Sequence, residues 1–298
     1  MSQGQQRPHV ALESTIYAFG LPYPRNVELG WKLASAIHAT GAEAKTFAVI
    51  KGNIRVGLHD DELETIARGD DVIKLNAADL GPAMAKGLTG ATCVSATCAL
   101  AHGAGIQVFA TGGIGGVHRD AESTFDESQD LWALARYPVA VVSAGAKAIL
   151  DLPKTMERLE SYGVPVIGYQ TDDMPAFYTR TSGLKVNHRV DDPQMLARVL
   201  LAHWRMHPGV GILVANPLPK DDALDEGAIQ KAIDQALKAA ADEGISGKAL
   251  TPYLLAKLDA LTGGDSVAAN VSLAENNARL GGELAMALQG LQEERNRG

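Results

Sequence analysis

Short apolar runs alternate with amphipathic stretches along almost the whole chain, and this rhythm limits the fold more than any other feature. Residues 46–50, 54–56, 72–75, 107–110, 139–142, 164–169 and 212–215 are brief, rich in Val and Ile, and bounded by Gly, Pro or Asp, as buried strands are. Between them, residues 27–39, 61–68, 154–161, 193–203, 223–243, 252–261 and 273–288 carry apolar positions at helical spacing. Asp151 with Pro153, and Asp192-Pro193, provide caps and first-turn residues for two of these helices. The alternation predicts an α/β protein with helices on both faces of a sheet. Lys51-Gly52-Asn53 joins the first two strands as a hairpin, which makes the sheet mixed.

No internal repeat, low-complexity block or linker interrupts the pattern, so one domain over residues 1–298 is expected, with 1–9 and 292–298 as frayed tails. Lys and Arg number 27 against 35 Asp and Glu, a net charge of −8 that argues against nucleic-acid binding. No apolar run approaches the ~20 residues of a membrane span, and the first nine residues lack a signal-peptide core. Cys93 and Cys98 make neither a disulfide framework nor a zinc pattern. A cytoplasmic protein is the expectation.

The densest chemical signal is Thr111-Gly112-Gly113-Ile114-Gly115-Gly116-Val117-His118-Arg119, directly after a predicted strand. Glycines there let backbone N–H groups approach an anion, or simply permit a turn with positive φ. The order fits neither a P-loop nor a dinucleotide fingerprint. Asp126, Ser128 and Asp130 follow; they suit a hard divalent cation, or equally the caps of a solvated helix start.

Lys147 stands among Ala, Gly and Ile just past a strand, where desolvation would free its amine as a nucleophile unless the stem reaches water. Glu13 ends a short apolar segment as a general acid or as the partner of an arginine. Lys74, inside Val72-Ile73-Lys74-Leu75, points at a phosphate or guards a sheet edge. Asn270 and the Asn276-Asn277 pair face a heterocycle or serve as caps. No single residue decides.

Taken together, Ala11-Leu12-Glu13-Ser14-Thr15-Ile16, Gly20-Leu21-Pro22-Tyr23-Pro24, Val94-Ser95-Ala96-Thr97, the Phe109-to-Arg119 glycine motif, residues 126–131, 144–150, 163–172 and 175–178, Asn216-Pro217-Leu218-Pro219 and Thr251-Pro252 resemble the pseudouridine-5′-phosphate glycosidase family, related to indigoidine synthase A. The resemblance implies a three-layer α/β/α fold around a central mixed sheet, a homotrimer and a divalent metal, Mn²⁺ or Mg²⁺. It implies reversible chemistry at the C–C bond between ribose 5-phosphate and an aromatic ring. Lys147 would form the Schiff base, Glu13 would donate the proton and Asp126 would hold the metal. Ser128, Gln129 and Asp130 would contact substrate, Lys74 and Val94 would line the sugar-phosphate site, and Asn270 would face the base.

Several positions depart from that family's pattern: Phe19 where His is usual, Ala78 for Arg, Cys93 for Thr and Ala148 for Ser. With Tyr17, these suggest a flatter, more apolar aglycone site and weaker use of uracil. The expectation therefore divides between pseudouridine 5′-phosphate salvage and C-ribosylation of a larger aromatic in antibiotic biosynthesis. A catalytically silent phosphosugar-binding protein is the alternative from a different class.

Overall fold

The computed structural model describes residues 7–245 and 250–297. Its strands are β1 (His9–Leu12), β2 (Glu43–Ile50), β3 (Asn53–Val56), β4 (Ile73–Leu75), β5 (Gly90–Thr92), β6 (Val108–Ala110), β7 (Ala140–Ser143), β8 (Val166–Tyr169), β9 (His188–Val190) and β10 (Ile212–Ala215). They form one ten-stranded sheet in the order β4-β5-β2-β1-β6-β7-β10-β8-β9, with β3 attached to β2. The helices are α1 (Arg25–His38), α2 (Asp60–Arg68), α3 (Leu80–Ala85), α4 (Val94–Gly103), α5 (Ala121–Thr124), α6 (Gln129–Leu134), α7 (Leu152–Ser161), α8 (Pro193–Met206), α9 (Glu226–Asp242), α10 (Leu250–Thr262) and α11 (Asp265–Arg297). Helix α11 packs on β1, β6 and β7 beside α1 and α8, while α4 covers the other face of β1 and β6 beside α6. The expected three-layer α/β/α architecture is therefore the one formed.

The mixed character comes from β2. Its residues Glu43 to Thr46 pair with β1 in parallel, and Phe47 to Ile50 pair antiparallel with β3. Lys51 and Gly52 make the hairpin, both at positive φ (48° and 77°). Strand β5 also runs antiparallel to β2, and β4 is parallel to β5. Because β2 outruns β1, β5 returns along it and meets the tip of β1: Ser14 N–H donates to Thr92 O at 3.1 Å, and Thr92 N–H to Ser14 Oγ at 2.9 Å. Both sub-sheets thus aim their carboxyl ends at one crevice, the usual ligand position in open α/β sheets.

Three strands and several helices depart from the sequence reading. Strand β5 is Gly-Ala-Thr, buried throughout but without a Val/Ile signature, and β9 is a polar strand at the sheet's edge. His9 opens β1 and residues 292–297 continue α11, so these parts of the expected tails belong to regular elements; residues 1–6 and 298 lie outside the described residues. Helix α4 is buried on most sides and lacks the polar stripe that marks a surface helix in sequence. Among the described residues, no helix is long and apolar enough to cross a membrane.

Candidate active site

The β6–β7 pairing does not stop where the strands end. Thr111 N–H donates to Val142 O, Ala144 N–H to Gly112 O, Ile114 N–H to Gly145 O and Lys147 N–H to Ile114 O, at 2.9 to 3.0 Å. This ladder carries the glycine motif and the lysine segment out of the sheet side by side. Gly145, at φ 86°, makes the bend, and the carbonyl of Pro175 occupies the place where a β-carbon would stand.

The motif's glycines have a reason the sequence did not disclose. Gly112, Gly113, Gly115 and Gly116 are not among the residues at positive φ. A β-carbon on Gly113 would come within 2.6 Å of the Phe177 ring, and one on Gly115 within 2.8 Å of Asp130 Oδ2. On Gly116 it would meet the Thr155 side chain. The glycines serve close packing. Most of the loop's amides are also engaged internally: Ile114 on Gly145, Gly115 on Asp130 (2.8 Å) and Val117 on Thr155 Oγ1 (3.0 Å).

One cavity of about 90 Å³ opens where these segments meet the tip of β1. Glu13, Lys74, Lys147 and Asn270 all line it, together with Thr15, Thr111, Gly112, Gly113, Phe177 and Tyr178. Glu13 is buried, and the hydroxyls of Thr15 and Thr111 each donate to one of its carboxylate oxygens. That clasp fixes both oxygens and replaces the arginine considered from sequence. Lys147 is half-buried, less enclosed than its Ala, Gly and Ile neighbours suggested; among the described residues its amine has no ion-pair or hydrogen-bond partner. Lys74 reaches the cavity from β4, which is also the sheet's edge.

The cavity's roof is apolar. Ile16, Phe19 and Gly20 come from a π-helical turn, Ile16–Gly20, and Leu255 and Leu258 from α10. Ala148 and Ile149 close the side next to Lys147. Phe177 is buried at φ 67°, a costly conformation for a bulky residue, with its N–H donated to Ala144 O and its ring edge-on to Tyr178. Burial pushes the Tyr178 phenol well above its ordinary range.

Other sequence candidates lie outside the cavity lining. Val94 is the first residue of α4 and is buried. Ser128 caps α6, accepting from Asp130 N–H at 3.2 Å. Gln129 Oε1 accepts Ala78 N–H at 3.2 Å, and Asp130 accepts two backbone amides. Of the five positions cited for an altered aglycone site, only Phe19 and Ala148 line the cavity. Tyr17 is buried, Ala78 is exposed, and the Cys93 thiol lies 3.0 Å from Asn76 Oδ1 and 3.1 Å from Ser95 Oγ. Burial and the neighbouring Asp130 charge push that thiol up to about 12.

Asp126 stands beside the glycine motif, 3.9 Å from His118 Nδ1 and partly exposed. Among the described residues no three His, Cys, Asp or Glu side chains converge, so a protein-caged ion does not fit. A hard cation that keeps most of its water fits a single carboxylate. Burial holds the His118 imidazole below its ordinary value, with Asp126 opposing and Lys147 and Lys74 reinforcing that shift.

Some functional residues gave little sequence signal. Thr15 and Thr111 become notable only once their hydroxyls meet Glu13. Asn277, weighed as a heterocycle contact, instead donates to Thr111 O at 2.8 Å and accepts from Asn216 at 2.8 Å, tying α11 to the loop.

A three-layer α/β/α fold whose strand ends bring a clasped carboxylate and an amine without a described partner into one cavity has the parts of a Schiff-base enzyme, a nucleophile for a carbonyl carbon and a proton carrier beside it. The chain belongs to the indigoidine synthase A-like family, which it matches over residues 2–287. It is 52% identical over 290 residues to the pseudouridine-5′-phosphate glycosidase of Caldanaerobacter subterraneus subsp. tengcongensis, covering 97% of this chain and 94% of that protein. It is 53% identical over 284 residues to that of Solibacter usitatus, covering 95% of each. Among solved structures it is similar to the prealnumycin C-glycosynthase AlnA in complex with ribulose 5-phosphate, at TM-score 0.90 and 41% identity over 97% of this chain and 94% of that one. An indigoidine synthase A-like protein of Thermotoga maritima gives TM-score 0.88 and 32% identity over 95% and 94%.

Proposed function

We propose that this chain makes or breaks the C–C glycosidic bond between ribose 5-phosphate and an aromatic ring, with Lys147 forming the imine and Glu13 carrying the proton. The observation that carries this reading is the clasped carboxylate sharing one cavity with an unpaired amine. Ordinary glycosidases expel oxygen with two carboxylates. A carbon leaving group needs an electron sink and a proton delivered to carbon.

In the cleavage direction the Lys147 amine bonds to C1′ as the bond from C1′ to the ring oxygen breaks, and the proton shed by nitrogen passes to that oxygen, which opens the ribose. The nitrogen lone pair then forms the iminium as the electrons of the C1′–carbon bond pass to the aromatic ring. Glu13 delivers its proton to that ring carbon; water then adds to the iminium and frees the Lys147 amine and ribose 5-phosphate, and the proton released returns to Glu13. Synthesis is the same sequence reversed.

On this reading Lys74, Val94 and Ser128 serve the phosphate end, with Gln129 and Asp130 beside them, and Asn270 faces the base. A water-rich Mn²⁺ or Mg²⁺ on Asp126 would supply positive charge near the phosphate. The protein is read as a cytoplasmic homotrimer. Uracil is the first aglycone reading, supported by relatives above 50% identity that are named pseudouridine-5′-phosphate glycosidases. A larger aromatic is the second, favoured by Phe19 and Ala148 in the cavity wall and by the likeness to a C-glycosynthase.

The test combines turnover with trapping. Pseudouridine 5′-phosphate with Mn²⁺ should release uracil, and borohydride with ribose 5-phosphate should mark the peptide containing Lys147. Faster coupling to a larger electron-rich aromatic would select the second reading. Neither adduct nor turnover would leave only the silent binding protein.

A further inference from the structure

We infer that Asp130 is a positioning residue that buckles the glycine loop to the start of α4, and is not itself a ligand for the substrate. The inference deepens the function proposed above, on which it rests for the location of the phosphate.

Asp130 is 4% exposed, and its two oxygens are divided between two chain segments. Oδ1 accepts Ser95 N–H in the first turn of α4 at 2.8 Å, and Oδ2 accepts Gly115 N–H at 2.8 Å. No other residue described bonds both segments through one side chain. Ser95 lies in the first turn of the helix that follows β5 and Gly115 in the connection that follows β6, so no short covalent path fixes their spacing. Gly115 can approach because it has no side chain; a β-carbon there would strike Ser128 and come within 2.8 Å of Asp130. Ser128 in turn caps the helix that presents Asp130. The glycine, the cap and the carboxylate are one joint.

Charge argues the same way. A carboxylate facing a phosphate repels it, whereas a buried carboxylate bonded to two amides is satisfied where it stands. Those amides orient the backbone whose remaining N–H groups, at Val94 and at Gly112, Gly113 and Gly116, make no hydrogen bond to the described residues. Asp130 acts through them.

The experiment measures borohydride trapping at Lys147 with ribose 5-phosphate and with unphosphorylated ribose, in the unaltered chain and in Asp130→Asn. The amide of Asn cannot accept both bonds, so the joint opens on one side. The expected result is a half-saturating concentration of ribose 5-phosphate raised about 10- to 100-fold, with the saturated rate and the ribose rate within about threefold of wild type. Equal losses on both sugars, or no loss on either, would overturn the inference. If wild type itself showed no preference for the phosphorylated sugar, the phosphate reading would fall, and this inference with it. Should Asp130→Asn not fold, Asp130→Glu keeps the charge and one bond and is expected to give the same split at smaller amplitude; equal loss on both sugars would again refute it.

Discussion

The floor and the roof of the cavity are built by different physics. The floor, at the glycine loop, is held by directional bonds: four backbone rungs to the Lys147 segment, two amides on Asp130, and Asn277 on the Thr111 carbonyl. The roof is a π-helical turn and one face of α10, contributing Ile16, Phe19, Leu255 and Leu258. Its residues touch the cavity through side-chain volume alone. A hydrogen-bonded floor tolerates little change in geometry, whereas an apolar roof can exchange one side chain for another at modest cost. Conserving the reaction while varying the aglycone is easiest with this division.

The largest effects are expected on the floor's chemistry. Lys147→Ala and Lys147→Arg should both abolish the trapped adduct and lower turnover by ~10³-fold or more, because a guanidinium cannot form the imine. Glu13→Gln should keep the adduct while turnover falls by about 10²- to 10⁴-fold, the range of a lost general acid. Mass spectrometry after borohydride separates the two. An adduct persisting in Lys147→Ala would remove the lysine from the mechanism.

Next comes the floor's packing. Gly116→Ala places a methyl against Thr155 and should destabilise by roughly 1–3 kcal/mol, seen as a lower urea midpoint. Phe19→Ala in the roof, by contrast, removes a half-buried side chain and should cost less. Equal or reversed costs would erase the distinction between floor and roof.

The same division separates what the sequence disclosed from what it did not. The α/β rhythm and the β2–β3 hairpin were legible in local periodicity and turn residues, and the clustering of Glu13, Lys74, Lys147 and Asn270 in the family resemblance that the longer motifs carry. The reason for the glycines was not: their need lies in Phe177, Ser128, Asp130 and Thr155, up to 64 residues away, from Gly113 to Phe177. Strand β5 was invisible because Gly-Ala-Thr becomes a strand only through the partners that enclose it. The departures at Tyr17, Ala78 and Cys93 looked like an altered pocket, yet those side chains face elsewhere, which one-dimensional spacing cannot reveal.

A smaller effect sharpens the roof. Phe19→His should shift relative turnover of pseudouridine 5′-phosphate against a larger aromatic by about 10-fold or less toward the former, because one added polar group can pair with a polar base. Steady-state rates with both substrates would check it. A shift toward the larger ring would mean that Phe19 does not shape the aglycone end.

The smallest effect reads the floor from behind, through Cys93. Its thiol shares the Asp130 neighbourhood with the amides of the joint, 3.8 Å from Oδ1, and is pushed from 9.0 up to about 12. A thiol whose folded value is raised binds its proton more tightly than the unfolded chain does. Its contribution is therefore complete below pH 9.0 and is lost as the pH rises toward about 12. Between pH 8 and pH 10 this one group should remove about 1 kcal/mol, since the unfolded thiol ionises there and the folded one does not. Urea midpoints at the two pH values, compared between wild type and Cys93→Ser, isolate that share from the tyrosines and lysines that titrate in both proteins. An alkaline loss of equal size in the two would mean that the floor admits water at Cys93, and that the rigidity ascribed to its bonds is not real.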